Sequence, residues 1–264
     1  MKSSLVLAIA TAAVLAIACS TSGTAGAEQS GRRGVSVSLD GRVAPHVLPR
    51  ETPAPVSVLL SGSVRSVIGD TLPRLRRITF AFGARGGLDT AGLPVCPRAR
   101  LRNATRPQAL SRCGGALVGH GSILVQIPLG PKRPLIAKAA ALAFNGRRSG
   151  RPAVWMFAYS ASPPVSFVLP FTLHAVRKGP YGLLLQAPLG RAFGPWPRLR
   201  AFRIELGRQY RSGGESHSYL SASCPLPPRF HHLDVPLARA TYHFDPAPTV
   251  DVSISRPCKV RDAP

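Results

Sequence analysis

The chain has 264 residues, 45% of them apolar, enough for a buried core and too many for an intrinsically disordered polymer. Lys and Arg number 34 against 11 Asp and Glu, a formal charge of +23, and all but five of the cations are Arg. That excess favours anionic polymers or membrane surfaces as partners, or else a simply solvated basic face, while eleven carboxylates are a thin supply for acid–base chemistry.

Met1 and Lys2 make a positive start, and "LVLAIATAAVLAIA" (Leu5 to Ala18) is an apolar run of fourteen residues. That is short for a transmembrane helix and right for the core of a signal peptide. "AIAC" (Ala16 to Cys19) resembles the lipobox of bacterial lipoproteins, in which the cysteine becomes the lipidated first residue. "AGAE" (Ala25 to Glu28) resembles an ordinary signal-peptidase site. The favoured division is a signal peptide over 1–18, lipidation of Cys19 and a flexible polar tether over 19–34, with 1–27 as the alternative leader. Either way the mature chain leaves the cytoplasm, membrane-anchored in the first case and secreted in the second.

From Val35 onwards the signals are those of strands. "VSVSL" (Val35 to Leu39) and "PVSVLLSGSVRSVIG" (Pro55 to Gly69) alternate small polar and apolar residues, and "RITFAFG" places Ile78, Phe80 and Phe82 on one face. "ALVGHGSILVQIPL" (Ala116 to Leu129) reads as a pair of short runs broken at glycine. "AALAFNG" followed by "RPAVWMFAYS" reads as a hairpin, with Asn145-Gly146 and the next basic residues as its loop, although the alanines also suit a helix. "VSFVLPFTLHAV", "YGLLLQA", "LRAFRIELG", "SYLSASC", "RATYHF" and "TVDVSIS" complete the series. Short strands punctuated by turn signals predict an all-β antiparallel fold, a sandwich of immunoglobulin-like or jelly-roll-like type.

Cys96, Cys113, Cys224 and Cys258 remain in the mature chain, and outside the cytoplasm an even count reads as disulfides. Three connectivities are open, and the sequence-local pairs Cys96–Cys113 and Cys224–Cys258 are favoured. Between the first pair, "TRPQALSRC" predicts one short helix with Thr105 as its cap and Pro107 in its first turn. Zinc needs tight pairs such as C-x₂₋₄-C, which are absent, and no C-x-x-C marks a reactive thiol.

"PRLRRITFAFG" (Pro73 to Gly83) aligns without a gap with "PRLRAFRIELG" (Pro197 to Gly207), and each precedes a Cys-Pro pair. This divides the chain into related halves over 35–130 and 131–264. The competing register, "LVQIPLG" against "LLQAPLG", leaves 35–264 open as a single β domain. The stretches "LPRLRRITFAFGARGGLDTAGLPVCP" and "RSGGESHSYLSASCPLPPRF…RATYHF…SRPCKV" resemble the two ends of a family of uncharacterised exported proteins from high-GC Gram-positive bacteria. The resemblance implies export and implies no activity, cofactor or catalytic residue.

Catalytic signatures are correspondingly sparse. "SGGESHSY" (Ser212 to Tyr219) holds Ser, Glu and His together, but a turn between Tyr210 and Tyr219 is the stronger reading, and no G-x-S-x-G elbow occurs. "GARGG" (Gly83 to Gly87) lacks the lysine of a phosphate loop and reads as a turn. His231, His243 and Asp234 or Asp245 are the sharpest metal candidates; ordinary surface histidines are the favoured reading, so no metal, cofactor or catalytic residue is assigned. What stands out is Arg98, Arg100, Arg102, Arg106 and Arg112 in the first disulfide loop, with Arg147 and Arg148 at the hairpin. Guanidinium groups grip phosphates and carboxylates by paired hydrogen bonds, whereas the 6% aromatic content argues against nucleic acid. The sequence therefore points to an exported, envelope-anchored protein with a binding or structural role, its Arg-rich loops meeting anionic polymer or lipid headgroups. An extracellular hydrolase with a dispersed site and a carrier of a hydrophobic ligand are the alternatives.

Overall fold

The computed structural model describes residues 27–130, 132–176, 179–190, 197–246 and 248–261. The leader expected over 1–18 and Cys19 lie outside them. In chain order the first strands are β1 (Glu28–Arg32), β2 (Val35–Ala44), β3 (Val47–Leu48), β4 (Ala54–Pro55), β5 (Ser57–Ser66), β6 (Arg74–Gly83) and β7 (Gly86–Leu88). A 3₁₀ turn at Arg98–Leu101 and the helix α1 (Arg106–Cys113) follow. Then come β8 (Leu117–Leu129), β9 (Lys132–Arg148), β10 (Arg151–Ala161), β11 (Pro164–Ala175), β12 (Tyr181–Pro188) and β13 (Arg198–Leu206). The last are β14 (Gln209–Ser212), β15 (Glu215–Ser218), β16 (Leu220–Ala222), β17 (His232–Asp245) and β18 (Val250–Val260).

The all-β, antiparallel class holds. Thirteen strands form one sheet in the order β1, β2, β5, β13, β8, β9, β10, β11, β12, β6, β17, β18 and β3, antiparallel except where β18 meets β3. Where a sandwich was expected, this single ladder instead curls until its two ends meet. Twist accumulates from strand to strand, so a sheet this wide turns back on itself. Phe80 on β6 and Phe202 on β13 are separated in the ladder by β8 to β12, yet their rings meet edge-on at 5.5 Å across the interior. At the seam Arg256 of β18 bonds Glu28 of β1 at 2.6 Å, Asp40 of β2 at 2.5 Å and the Gly41 carbonyl at 2.8 Å. Glu28, foremost, and then Asp40 hold this guanidinium above its ordinary pKa, against the opposing effect of burial.

The seam also moves one boundary. Glu28–Arg32, read from sequence as the end of a flexible tether, is the first strand of the sheet and pairs with Val35–Leu39. Strands from the two predicted halves interleave: β6 lies between β12 and β17, and β13 between β5 and β8.

Side-chain alternation decides which face is which. Along β9, Ala137, Ala139, Ala141 and Ala143 join the interior core, while Leu142 and Phe144 face outward. The alanines that suited a helix are therefore strand residues, because cross-strand packing overrides a weak local preference. The Asn145-Gly146 turn is corrected as well. Both residues stay in the ladder, opposite Val154 and Ala153, and the true two-residue turn is Ser149-Gly150, with φ of 49° and 76°. Gly146 is needed for contact, since a Cβ there would lie 2.1 Å from the Trp155 indole nitrogen. Likewise β8 runs unbroken through Gly121, where a Cβ would fall 2.0 Å from the Arg203 carbonyl oxygen.

Candidate functional site

Both sequence-local disulfides form, Cys96–Cys113 and Cys224–Cys258. Each organises a region with its own chemistry. The first closes a cap on the outer face of β9, β10 and β11. Thr105 accepts from the Gln108 N–H, Gln108 returns a bond to the Thr105 N–H, and Pro107 sits in the first turn, so α1 starts where its capping signals place it. Leu101, Ala109 and the cystine then pack on Phe144, Trp155 and Phe157. Trp155 donates its indole N–H to the Cys96 carbonyl at 3.0 Å, and buried Asn145 donates to the Pro94 carbonyl at 3.0 Å.

All seven arginines singled out from sequence are exposed on or beside this cap. Arg100 and Arg112 bond each other's carbonyls, at 3.4 and 3.2 Å, and Arg147 reaches the Gly150 carbonyl at 3.5 Å. Among the described residues none of the seven forms an ion pair with a carboxylate. The cap is a cationic outer surface.

The second disulfide stands at the opposite kind of place. Cys258, packed with its partner Cys224, borders a hollow of about 970 Å³ inside one end of the curled sheet. Its walls come from the ends of β2, β5, β6, β12, β13, β17 and β18, and the short sheet of β4, β16 and β7 flanks it. Val43, Val58, Phe82, Leu183, Leu206 and Leu220 are half-buried residues in these walls, so their remaining exposure is to the hollow. A second, smaller space of about 70 Å³ has Phe80, Phe171 and Phe202 in its apolar lining. Phe82, Val154, Leu185 and Leu206 line both, so the two spaces share a wall. Tyr219, almost completely buried in the wall, has its phenol pushed well above the usual pKa by that burial and stays neutral.

Comparison with family models, curated proteins and solved structures finds no match. The site is thus read from its own geometry.

That geometry does not assemble the acid–base groups. Among the described residues no Asp or Glu lines the hollow. Ser221 and Ser223 share its wall with His46 and His232, but among the described residues no hydrogen bond joins those hydroxyls to an imidazole. "SGGESHSY" is the β14–β15 hairpin: Tyr210 pairs with His217 and Ser212 with Glu215 across Gly213-Gly214. His217 sits 3.2 Å from Asp89 and stacks on Tyr210 at 5.4 Å. The Ala91 N–H, more than His217, holds the Asp89 carboxyl below its usual pKa. "GARGG" turns from β6 into β7.

The metal candidates are spread out. His231 stands just before β17, its carbonyl accepting from the Val260 N–H at 2.9 Å, whereas His243 lies far along that strand and bonds the Thr249 hydroxyl at 3.0 Å. Burial first, and then Arg77, lower the His243 pKa. No group of three or more His, Cys, Asp or Glu could hold a metal ion among the described residues.

Proposed function

We propose that this is an exported protein that holds an apolar ligand in the hollow end of its curled sheet. The observation that carries the reading is the cavity of about 970 Å³ with its Val, Leu and Phe walls. Small-molecule sites span about 300–1,000 Å³ and are lined mainly by such residues, so this one stands at the roomy end of that range. Each methylene moved from water into such a space contributes about 0.8 kcal/mol, which makes a long hydrocarbon chain a tight ligand by repetition alone. Export is supported by the leader-like start and by two disulfides, which form and persist in oxidising compartments. With Cys19 lipidated, residues 20–27 would tether β1 within about 30 Å of the bilayer by extended-chain geometry. A lipid source is then always in reach.

The test is titration of the full, disulfide-bonded chain with a neutral apolar dye, N-phenyl-1-naphthylamine, whose fluorescence rises on leaving water. Saturable binding is expected, and Val58→Trp, which fills the hollow from the β5 wall, should weaken it about tenfold or more by excluding several methylene equivalents of ligand. Absence of saturable binding by the wild type overturns the reading.

The exposed arginines of the cap favour a second reading for that surface, docking on an anionic envelope component at low salt. Cosedimentation with phosphatidylglycerol vesicles and retention on a polyphosphate matrix test it; indifference to both sinks it.

A further inference from the structure

The hollow has a polar end of one sign. Arg42 from β2, His46 just before β3, Arg85 from the β6–β7 turn, His232 from β17 and Lys259 from β18 all contribute to its walls and all are exposed. Among the described residues no carboxylate joins them there. Asp234, two residues beyond His232 on β17, is not part of the wall. Three of these groups are brought together by the ladder itself: His232 stands opposite Lys259, and the Lys259 N–H reaches the His46 carbonyl at 3.4 Å. Arg256 also reaches the hollow, but it is spoken for by Glu28 and Asp40 at the seam. Arg42, Arg85 and Lys259 have no ion pair among the described residues.

An apolar chamber whose exposed wall residues include three cations with no ion pair among the described residues is asymmetric in a way a plain hydrocarbon would not use. Building on the cavity reading, we infer that the ligand is an anionic amphiphile, with its hydrocarbon chain inward along Val58, Leu206 and Phe82 and its carboxylate or phosphate head held by Arg42, Arg85 and Lys259. The imidazoles of His46 and His232 supply further ring N–H donors to the same head group. At the edge of a low-dielectric wall these charges act more strongly than on open surface, because less solvent screens them. Neutral amphiphiles of equal chain length would seat the chain and leave the cations unanswered.

A matched pair of probes separates the two halves of this inference. cis-Parinaric acid and its methyl ester carry the same fluorescent chain and differ in charge. At low salt the wild-type chain should bind the acid about tenfold more tightly than the ester, a preference that shrinks as added salt screens the head group. The variant Arg42→Gln/Arg85→Gln/Lys259→Gln should lose the preference while keeping the ester's affinity, which also shows that it is folded. Displacement of the bound acid by oleate or by lysophosphatidic acid tells a carboxylate head from a phosphate head, and displacement by neither counts against the inference. Equal binding of acid and ester by the wild type, or a preference that survives in the triple variant, overturns the head-group assignment and leaves the hollow as an apolar site. Binding of neither probe removes the cavity reading itself.

Discussion

Around Cys96–Cys113 the outer face of the sheet is sealed, whereas around Cys224–Cys258 its inner face is left open. In the first region Leu101, Ala109, Phe144 and Phe157 are each fully buried, and Trp155 is 3% exposed. In the second, Cys224 is fully buried but Val43, Val58, Leu220 and Val235 beside it keep surface exposed to a hollow. The same covalent device thus closes a packed cap at one place and borders an apolar chamber at the other. The contrast places dense packing at the cap and, on the proposed reading, the ligand in the hollow.

Breaking the packed side should have the largest effect. Trp155→Ala deletes a buried indole and its bond to the Cys96 carbonyl, and leaves a void that the rigid sheet beneath cannot collapse into. A loss of about 3–5 kcal/mol in urea unfolding is expected. By contrast Val58→Trp adds volume to empty space, so its cost should fall below the roughly 1–3 kcal/mol of overpacking in a filled core. Equal losses for the two variants would break the comparison.

Next come the disulfides themselves. The closed loops span sequence separations of 17 and 34 residues. Loop-closure entropy alone assigns about 3 kcal/mol to the first and about 4 kcal/mol to the second. Replacing each pair by alanine and unfolding in urea gives the two losses. Binding sharpens the distinction: the Cys224→Ala/Cys258→Ala variant should bind N-phenyl-1-naphthylamine more weakly as the mouth loosens, while Cys96→Ala/Cys113→Ala should bind it as the wild type does. Impaired binding in the cap variant alone would reverse the assignment of roles.

The cap was far easier to foresee than the hollow. Thr105, Pro107 and Gln108 are local capping signals, and α1 begins where they say; the cystine pairs are sequence-local; Ile78 and Phe80 alternate onto the interior as their period requires. The one strong local signal that misled was Asn145-Gly146, where the close approach of Trp155 outweighs turn propensity. Nothing local announces the hollow. Val43, Val58, Leu183 and Leu206 look like core residues of ordinary strands, and whether an inward side chain meets a partner depends on how sharply thirteen strands curl. Curvature is a property of the whole ladder, in which β6 sits between strands that lie a hundred residues or more further along the chain, an ordering that hydrophobic alternation does not encode. Arg42, Arg85 and Lys259 were likewise invisible as a set, being far apart in sequence and joined only at the rim.

The smallest expected effect on stability, and the cleanest separation of the two regions, lies in the cap's charges. Arg98, Arg102, Arg106, Arg147 and Arg148 are exposed, and none pairs with a carboxylate among the described residues. Arg100 and Arg112 are left in place because their crossed bonds to each other's carbonyls brace the 3₁₀ turn against α1. Changing the five to Gln keeps hydrogen-bonding side chains, removes five like charges from one surface and touches no packed group, so the thermal midpoint should stay where it is or rise slightly as repulsion is relieved. Cosedimentation with phosphatidylglycerol vesicles should fall at low salt, where screening reaches only over distances beyond about 10 Å at 0.1 M and less effectively below it. Binding of N-phenyl-1-naphthylamine should not change, since the hollow's wall contains none of the five. If vesicle binding survives, contact with the anionic surface runs through the rim of the hollow, and the outer cap is left with a structural role only.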